Sequence, residues 1–278
     1  MFEEFVLWTL LGIVSGIFTG ITPGIHINTV AVFLLGLSGI NPVLLAVFIT
    51  SLSITHVFFD FIPSILFGVP SDSNFLFLLP GQRLFLQGKA FLAIKLSLIG
   101  SFVGVIFTIL SFSFYGMIFR VFFSLIKFIV PWLLIFVLLL IVWFEKGVEK
   151  KFWSVFVILS SGALGWITLR NFVFVENNLF VSITGFFAIS SLLFSFKSGD
   201  SKIVFQKLYT NSYSKLFVLK DSFFGFLAGM VVSIFPGIGP SVAGFFVTKV
   251  FGKMNAKQYI TMLGSTGSSN MLFSFFAL

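Results

Sequence analysis

The sequence predicts an all-α fold: a polytopic bundle of transmembrane helices. Three observations carry that expectation. Only 9% of the 278 residues are charged while 58% are hydrophobic, with a mean hydropathy of +1.13, whereas a soluble domain carries about 25% charged residues to cover its wet surface. Stretches such as FVLWTLLGIVSGIFTGI and WLLIFVLLLIVWF are apolar all round and approach the roughly 20 residues that cross a bilayer. The basic residues behind the net charge of +8 lie between apolar runs and form no patch with aromatic stacking positions, so they fit membrane topology, with lipid as the surrounding partner and no nucleic acid.

Apolar runs separated by polar or glycine-proline breaks predict spans near 5 to 38, 42 to 67, 90 to 112, 130 to 144, 152 to 169, 179 to 196, 222 to 250 and 258 to 278. The start, MFEEFVLW, has neither a basic n-region nor a small-residue cleavage site, so the first helix is expected to remain in the mature chain. The segment from Ser113 to Ile129 carries Arg120 and Lys127 and is expected either to lie along the membrane interface or to cross, which leaves the helix parity open. Lys197, Lys202, Lys207, Lys215 and Lys220 against the single acid Asp200 place the loop from 197 to 220 in the cytoplasm, and Lys146, Lys150 and Lys151 mark a second such loop. A hairpin from Phe152 to Phe196 joins them, its outer turn carrying Asn171, Glu176, Asn177 and Asn178. The chain has no cysteine, which removes disulfides, thiolate metal sites and cysteine nucleophiles together.

An internal repeat is visible. GIVSGIFTGITPGIHIN from Gly12 aligns without gaps to GFLAGMVVSIFPGIGPS from Gly225, placing Gly12, Gly16, Pro23, Gly24 and Ile25 on Gly225, Gly229, Pro236, Gly237 and Ile238. With a one-residue slip, THVFFDFI from Thr55 stands opposite SNMLFSFF from Ser269. The expected organisation is therefore a first repeat with its following helices over 1–221 and the start of a second, incomplete repeat over 222–278.

A Pro-Gly break inside an apolar run removes a backbone donor and frees carbonyls that hydrocarbon cannot satisfy, so it is tolerated only against protein or water. Two such breaks at corresponding places in the two halves of one chain point to a transporter's substrate site; prolines that merely kink packed helices are the competing reading. The candidate binding residues at the breaks are Thr22, Pro23, Gly24, His26 and Asn28, and Pro236, Gly237, Gly239 and Ser241. The stripes Gly12, Gly16, Gly20 and Gly225, Gly229, Ser233 are read as packing positions where another helix comes close. Ser53, His56 and Asp60 fall on one helical face. An ionised aspartate near the bilayer centre costs about 2.5 to 3.5 kcal/mol, so it is expected to face a partner or water, as a proton or cation site, or else to lie near the interface. Ser265, Thr266, Ser268 and Asn270, beside Ser269, form a hydroxyl-amide cluster suited to a carboxylate or a cation.

These residues resemble the large permease subunit of the tripartite tricarboxylate transporters, the TctA-like family, archaeal members included. The resemblance rests on GIFTGITPGIHINTVAVFLLGLSGINP, on GVPSDSNFLFLLPGQRLFLQGKAFLAIKLSLIGSFVG from Gly68 with its QGKA-like helix start at Gln87 to Ala90, and on FPGIGPSVAGF; residues 110 to 220 contribute hydrophobicity alone. It implies a membrane permease that moves a small organic anion, a tri- or other carboxylate, coupled to a proton or sodium gradient. It also implies a small membrane subunit and an extracytoplasmic binding protein as partners, a standalone permease being the alternative. His26 departs from the family's usual glycine, which Gly239 keeps in the second repeat. The chain stops opposite about Ser64 of the first repeat, so truncation of a longer product is expected.

Two other classes compete. A non-transporting membrane assembly or lipid-handling protein would use the glycines for packing alone. An intramembrane enzyme would need a nucleophile with a base or paired aspartates, and the sequence shows no GxSG-like serine, no HExxH and no Walker A motif. No enzymatic activity, cofactor or metal is expected, and the expected location is the plasma membrane, crossed several times.

Overall fold

The computed structural model describes residues 2–22, 25, 27–35, 40–68, 78–126, 128–169, 189, 193, 204–208, 213–234, 239–251 and 254–275. Among these residues the regular structure is entirely helical. The helices are α1 (Phe2–Ile21), α2 (Ile27–Leu35), α3 (Pro42–Phe59), α4 (Phe61–Phe67), α5 (Leu78–Leu86), α6 (Ala90–Ile126), α7 (Val130–Phe144), α8 (Val148–Leu169), α9 (Lys215–Val232), α10 (Pro240–Phe251) and α11 (Ala256–Ser274). Among the described residues, four segments are long and apolar enough to cross a bilayer: Phe2–Ile21, Pro42–Phe67, Ala90–Met117 and Val148–Thr168.

Local chemistry sets the boundaries. α1 opens on Glu3 and Glu4, whose charge suits the positive end of a helix. α3 begins where Asn41 accepts from the Val43 amide at 2.9 Å, with Pro42 supplying the fixed φ of a first helical residue. α5 ends in a Schellman motif: Gly88 at φ 72° lets its N–H reach the Phe85 carbonyl and the Lys89 N–H reach that of Leu84, both at 2.8 Å. A distant segment straps this corner. Gln206 Oε1 accepts from the Ala90 amide at 2.9 Å, Gln206 Nε2 donates to the Phe85 carbonyl at 3.1 Å, and Lys207 N–H donates to the Gly88 carbonyl at 2.9 Å. α11 starts with a capping box of Asn255 and Gln258.

Two expectations are corrected. The segment from Ser113 is no separate interfacial element but the continuation of α6 to Ile126, since no proline interrupts residues 90–126; at 37 residues the helix is roughly 55 Å long. The span expected over 222 to 250 is two helices, α9 and α10, with Pro240, which cannot donate, opening the second. The span expected from 179 to 196, and the outer turn from Asn171 to Asn178, fall outside the described residues apart from Ile189 and Leu193.

The chain divides into two compact units, residues 1–116 with 187–278, and residues 117–186. The second holds α7 and α8, whose apolar side chains are broadly exposed, Trp132, Leu139 and Leu159 among them, as lipid-facing helices require. Lys151 lies over the Trp143 ring, 5.6 Å from its centroid.

In the first unit, helices meet through small residues. A Cβ built on Gly12 would lie 2.6 Å from the Phe48 carbonyl oxygen, one on Gly16 2.6 Å from that of Leu52, and one on Gly20 2.7 Å from the Phe59 Cβ. Contacts that advance together along both helices mean α1 and α3 run parallel. α9 and α11 run parallel by the same test, Gly225 facing Met262 and Ser265, and Gly229 facing Thr266, Ser269 and Asn270. α6 covers another side of α11, with Gly100 against Thr261 and Gly104 against Ser265 and Ser268.

α3 and α11 run in opposite directions. Val57 reaches Gly267, Met271 farther along α11 joins the cluster of Phe48 and Leu52 earlier in α3, and Phe61 and Ile65 beyond α3 pack with Ile260 and Leu263 near the start of α11. Within each parallel pair the chain must return between the two helices. The described return helices, α2 and α10, have 9 and 12 residues, roughly 14 and 18 Å, well short of the about 30 Å hydrocarbon core.

Candidate functional site

The close approach of α1 to α3 fixes the first cluster. Because Gly16 and Gly20 bring the backbones together, Thr19 between them is carried against His56, and its Oγ1 lies 2.9 Å from Nδ1 of the imidazole. The Thr19 hydroxyl also lies within hydrogen-bond reach of the Gly16 carbonyl, at 3.3 Å. Both side chains are buried.

Asp60 follows one turn later, 5% exposed. Its amide closes the last turn of α3 on the His56 carbonyl at 2.9 Å, and α4 begins at the next residue. Pro63 cannot complete the helical bond back toward Phe59, and α3 gives way to α4 at this carboxylate. Ser53, His56 and Asp60 recur at i, i+3 and i+7, one face of α3. Ser53 is fully buried, and its hydroxyl oxygen has no hydrogen-bond partner among the described residues. Such a group in a folded interior calls for a reason, an ion or a water among them.

Thr22, at the end of α1, donates its hydroxyl to the Phe18 carbonyl at 2.7 Å. Pro23, Gly24 and His26 lie outside the described residues, and the backbone of Asn28 belongs to the first turn of α2.

The second cluster surrounds the end of α9. Ser233 caps that helix, its hydroxyl donating to the Met230 carbonyl at 2.8 Å and lying 2.8 Å from the Tyr115 hydroxyl of α6. Tyr115 is itself buried against Phe273, with ring centroids 4.1 Å apart. Pro236 and Gly237 lie outside the described residues. Gly239 accepts from the amides of Val242 at 3.1 Å and Ala243 at 3.4 Å, starting α10, and Ser241 is buried in its first turn.

The hydroxyls of α11 are engaged by backbone. Ser265 donates to the Ser222 carbonyl at 2.6 Å and Thr266 to Met262 at 2.9 Å. Ser268 reaches the Ser101 carbonyl of α6 at 2.9 Å, while Ser101 returns a bond to Gly264 at 3.0 Å. These bonds join three closely packed helices. Asn270 differs: it is half-buried, its carbonyl accepts from Ser274 at 2.6 Å, and its side chain has no hydrogen bond among the described residues.

Ser53, His56 and Asp60 share one face of α3 as their spacing requires, and the two clusters also include Thr19 and Tyr115, which the sequence does not single out. Thr19 carries a signal in retrospect, a polar residue beside Gly20 and one turn before Pro23. Tyr115 carries none, since its partner lies 118 residues away.

The approach to α9 is also tied down. Tyr213 donates to Asp221 Oδ2 at 3.2 Å, and burial together with that carboxylate pushes the phenol up to about 12. It is a neutral donor at any physiological pH.

Comparison with known proteins gives two matches. The family model described as Tripartite tricarboxylate transporter TctA family matches residues 6–278. An uncharacterized protein of Methanocaldococcus jannaschii is 34% identical over 283 residues, covering 98% of this chain and 68% of the relative. No solved structure matches the chain. A family match across nearly the whole sequence, on an all-helical chain with four apolar segments of membrane-crossing length, makes this a membrane protein of a transporter family. The chain belongs to the tripartite tricarboxylate transporter TctA family.

Proposed function

We propose that the chain is the permease of a secondary transporter that moves a small organic anion, a tri- or other carboxylate, coupled to a proton or sodium gradient. One observation carries this reading. The chain contains two parallel helix pairs, α1 with α3 and α9 with α11, that run opposite to each other, and each pair is interrupted by a Pro-Gly segment followed by a short return helix. The contacts also correspond position by position: Phe48, Ser51, Leu52, Thr55 and His56 face the first glycine stripe where Met262, Ser265, Thr266, Ser269 and Asn270 face the second. These are the positions that the internal alignment with its one-residue slip equates. Repeats inverted in this way build transporters that open alternately to the two sides, with substrate and ion sites at the interrupted helices.

The two halves then differ in chemistry. The first places the titratable pair His56 and Asp60, with Thr19 and Ser53, beside its break, and in our reading it carries the coupling ion. The second places neutral groups, Asn270, Gly239 and Ser241, beside its break, which suits hydrogen bonding to a carboxylate. Thr22, Asn28 and the residues of the two breaks complete the proposed site, whereas Ser265, Thr266 and Ser268 serve it by fixing α11. Lysine-rich loops on the cytoplasmic side put the N-terminus outside in a multi-pass plasma-membrane topology. A small membrane subunit and an extracytoplasmic binding protein are the proposed partners.

The test is uptake of radiolabelled citrate and smaller carboxylates into proteoliposomes under imposed proton and sodium gradients, with and without those two partners. Gradient-driven accumulation is expected. Correctly inserted protein that accumulates none of them under any of these conditions would turn the assignment toward a non-transporting membrane assembly.

A further inference from the structure

A short non-helical segment is fixed at the boundary of the membrane with its apolar side chains left exposed. In residues 204–208, Gln206 and Lys207 bind the corner between α5 and α6 through Phe85, Gly88 and Ala90. The Phe205 carbonyl oxygen closes the fit, 2.8 Å from where a Cβ on Gly88 would stand. The residues flanking this attachment face outward: Phe205 is 94% exposed and Leu208 78%. Holding two large apolar side chains in place and in water has no return, whereas lipid removes the cost.

α6 gives the depth of the segment. Lys89 stands just before this helix and Lys95, exposed, in its second turn, and from Leu96 to Phe119 there is no charged residue. Hydrocarbon therefore begins beyond Lys95, whose long stem lets the ammonium reach back to the headgroups. Ala90 lies five residues earlier, roughly 7.5 Å along the axis, and the headgroup zone is about 5 to 7.5 Å deep on each side. Gly88, Ala90 and the segment bonded to them stand at headgroup level.

Charge at this level is of one sign. α6, α9 and α11 begin at the same end of their unit, since their mutual contacts advance together, and Lys215, Lys220 and Lys257 stand near the starts of α9 and α11. Lys220 and Lys257 lie over the rings of Phe224 and Tyr213, and Lys89 reaches Gln87. The single acid on these three helices, Asp221, is 2% exposed and already accepts from the Tyr213 hydroxyl.

We propose that residues 204–208, with Lys89 beside them, form a docking surface for anionic phospholipid: Phe205 and Leu208 enter the lipid interface, and Lys207 and Lys89 hold the phosphate headgroup. The backbone bond from Lys207 to Gly88 sets the two lysines next to each other, both exposed. The depth and the pairing of apolar with cationic side chains match a lipid, whose phosphate lies just above its chains. In the topology proposed above, this end faces the cytoplasmic leaflet, where anionic lipids collect.

Because the chain has no native cysteine, Phe205→Cys takes a single fluorescent label, and at 94% exposure the exchange removes no packed side chain. The full chain is reconstituted into phosphatidylcholine vesicles carrying a small share of nitroxide-labelled phospholipid. A nitroxide near the headgroup is expected to quench the label at least about twofold more than the same nitroxide at the chain end. At equal content, a headgroup-proximal nitroxide on phosphatidylglycerol is expected to quench about two- to fivefold more than one on phosphatidylcholine. Lys89→Gln together with Lys207→Gln is expected to bring that ratio to one while the melting temperature stays near that of the parent. Equal quenching by both lipids in the parent overturns the anionic site, and a label that no nitroxide reaches overturns the interface itself. A preference that survives both lysine substitutions overturns their assignment. Loss of the preference in inorganic phosphate, but not in chloride of equal ionic strength, would mean that the lysines take free phosphate, and the lipid assignment would fall. None of these readings needs a transported substrate, so absence of carboxylate uptake would bear on the permease reading and leave them standing.

Discussion

Gly225→Leu is expected to leave almost no folded protein, and even Gly225→Ala is expected to be destabilising. The reason is the depth of contact between α9 and α11. A Cβ at this position falls on the Met262 carbonyl oxygen and comes 2.7 Å from the Ser265 Cβ, and Ser265 is held by its bond to the Ser222 carbonyl one turn before Gly225. The obstacle is backbone and a bonded side chain, so neither can swing aside. Overpacking a well-packed interior costs about 1 to 3 kcal/mol where side chains can shift. Here the helices must separate, which also breaks the bond of Ser265 to the Ser222 carbonyl of α9. Gly162→Ala on α8 is the matched comparison, with no described atom within 4 Å of its Cβ. Removing a helical glycine there is expected to stabilise by up to about 1 kcal/mol through propensity alone. The fraction of monodisperse protein after detergent extraction, with its melting temperature, measures both. Gly225→Leu that extracts and melts like the parent would mean that α9 and α11 do not meet as described.

That contrast shows what the sequence makes legible. A glycine stripe at four-residue spacing identifies a helix that another must approach, and both stripes, Gly12 to Gly20 and Gly225 to Ser233, do so. It does not name the partner, because the partner's matching positions, Phe48 to His56 or Met262 to Asn270, carry no common residue type. The serine-threonine cluster of α11 is legible only as polar residues in an apolar helix. A hydroxyl waiting for a ligand and a hydroxyl bonded to a neighbouring carbonyl are written with the same letter. Asn270 separates from that cluster only once its hydrogen bonds are traced. Boundaries are read well where a proline or a cap stands, as at Pro42 and Asn255, and poorly where a charge is weighed against continuous helix, as at Arg120. The side chain of Tyr115 is the extreme case, since a buried tyrosine needs a partner but the sequence gives no hint that it is Ser233.

Asp60→Asn is expected to abolish gradient-driven accumulation while leaving a folded protein. The side chain is 5% exposed, sits at the junction of α3 and α4, and follows His56 by one turn on the face that also carries the fully buried Ser53. A carboxylate so placed costs about 2.5 to 3.5 kcal/mol when ionised in an apolar span, so a neutral amide of the same shape removes a cost and keeps the packing. Stability equal to or above that of the parent is therefore expected, which separates this variant from a folding defect. The function differs. An amide neither takes up a proton nor offers a charge to sodium, and the coupling proposed for this half needs one or the other. A tenfold ion gradient corresponds to about 1.4 kcal/mol per monovalent ion, or roughly tenfold accumulation of a co-transported solute. The parent is expected to approach that ratio in proteoliposomes, and Asp60→Asn to stay at a ratio of one under either gradient. Exchange of external for internal substrate, which needs no net ion movement, is expected to survive in the variant. Retained exchange with lost accumulation would place coupling at Asp60, whereas accumulation at the parental ratio would remove Asp60 from the coupling site and leave the buried carboxylate a purely structural role at the junction of α3 and α4.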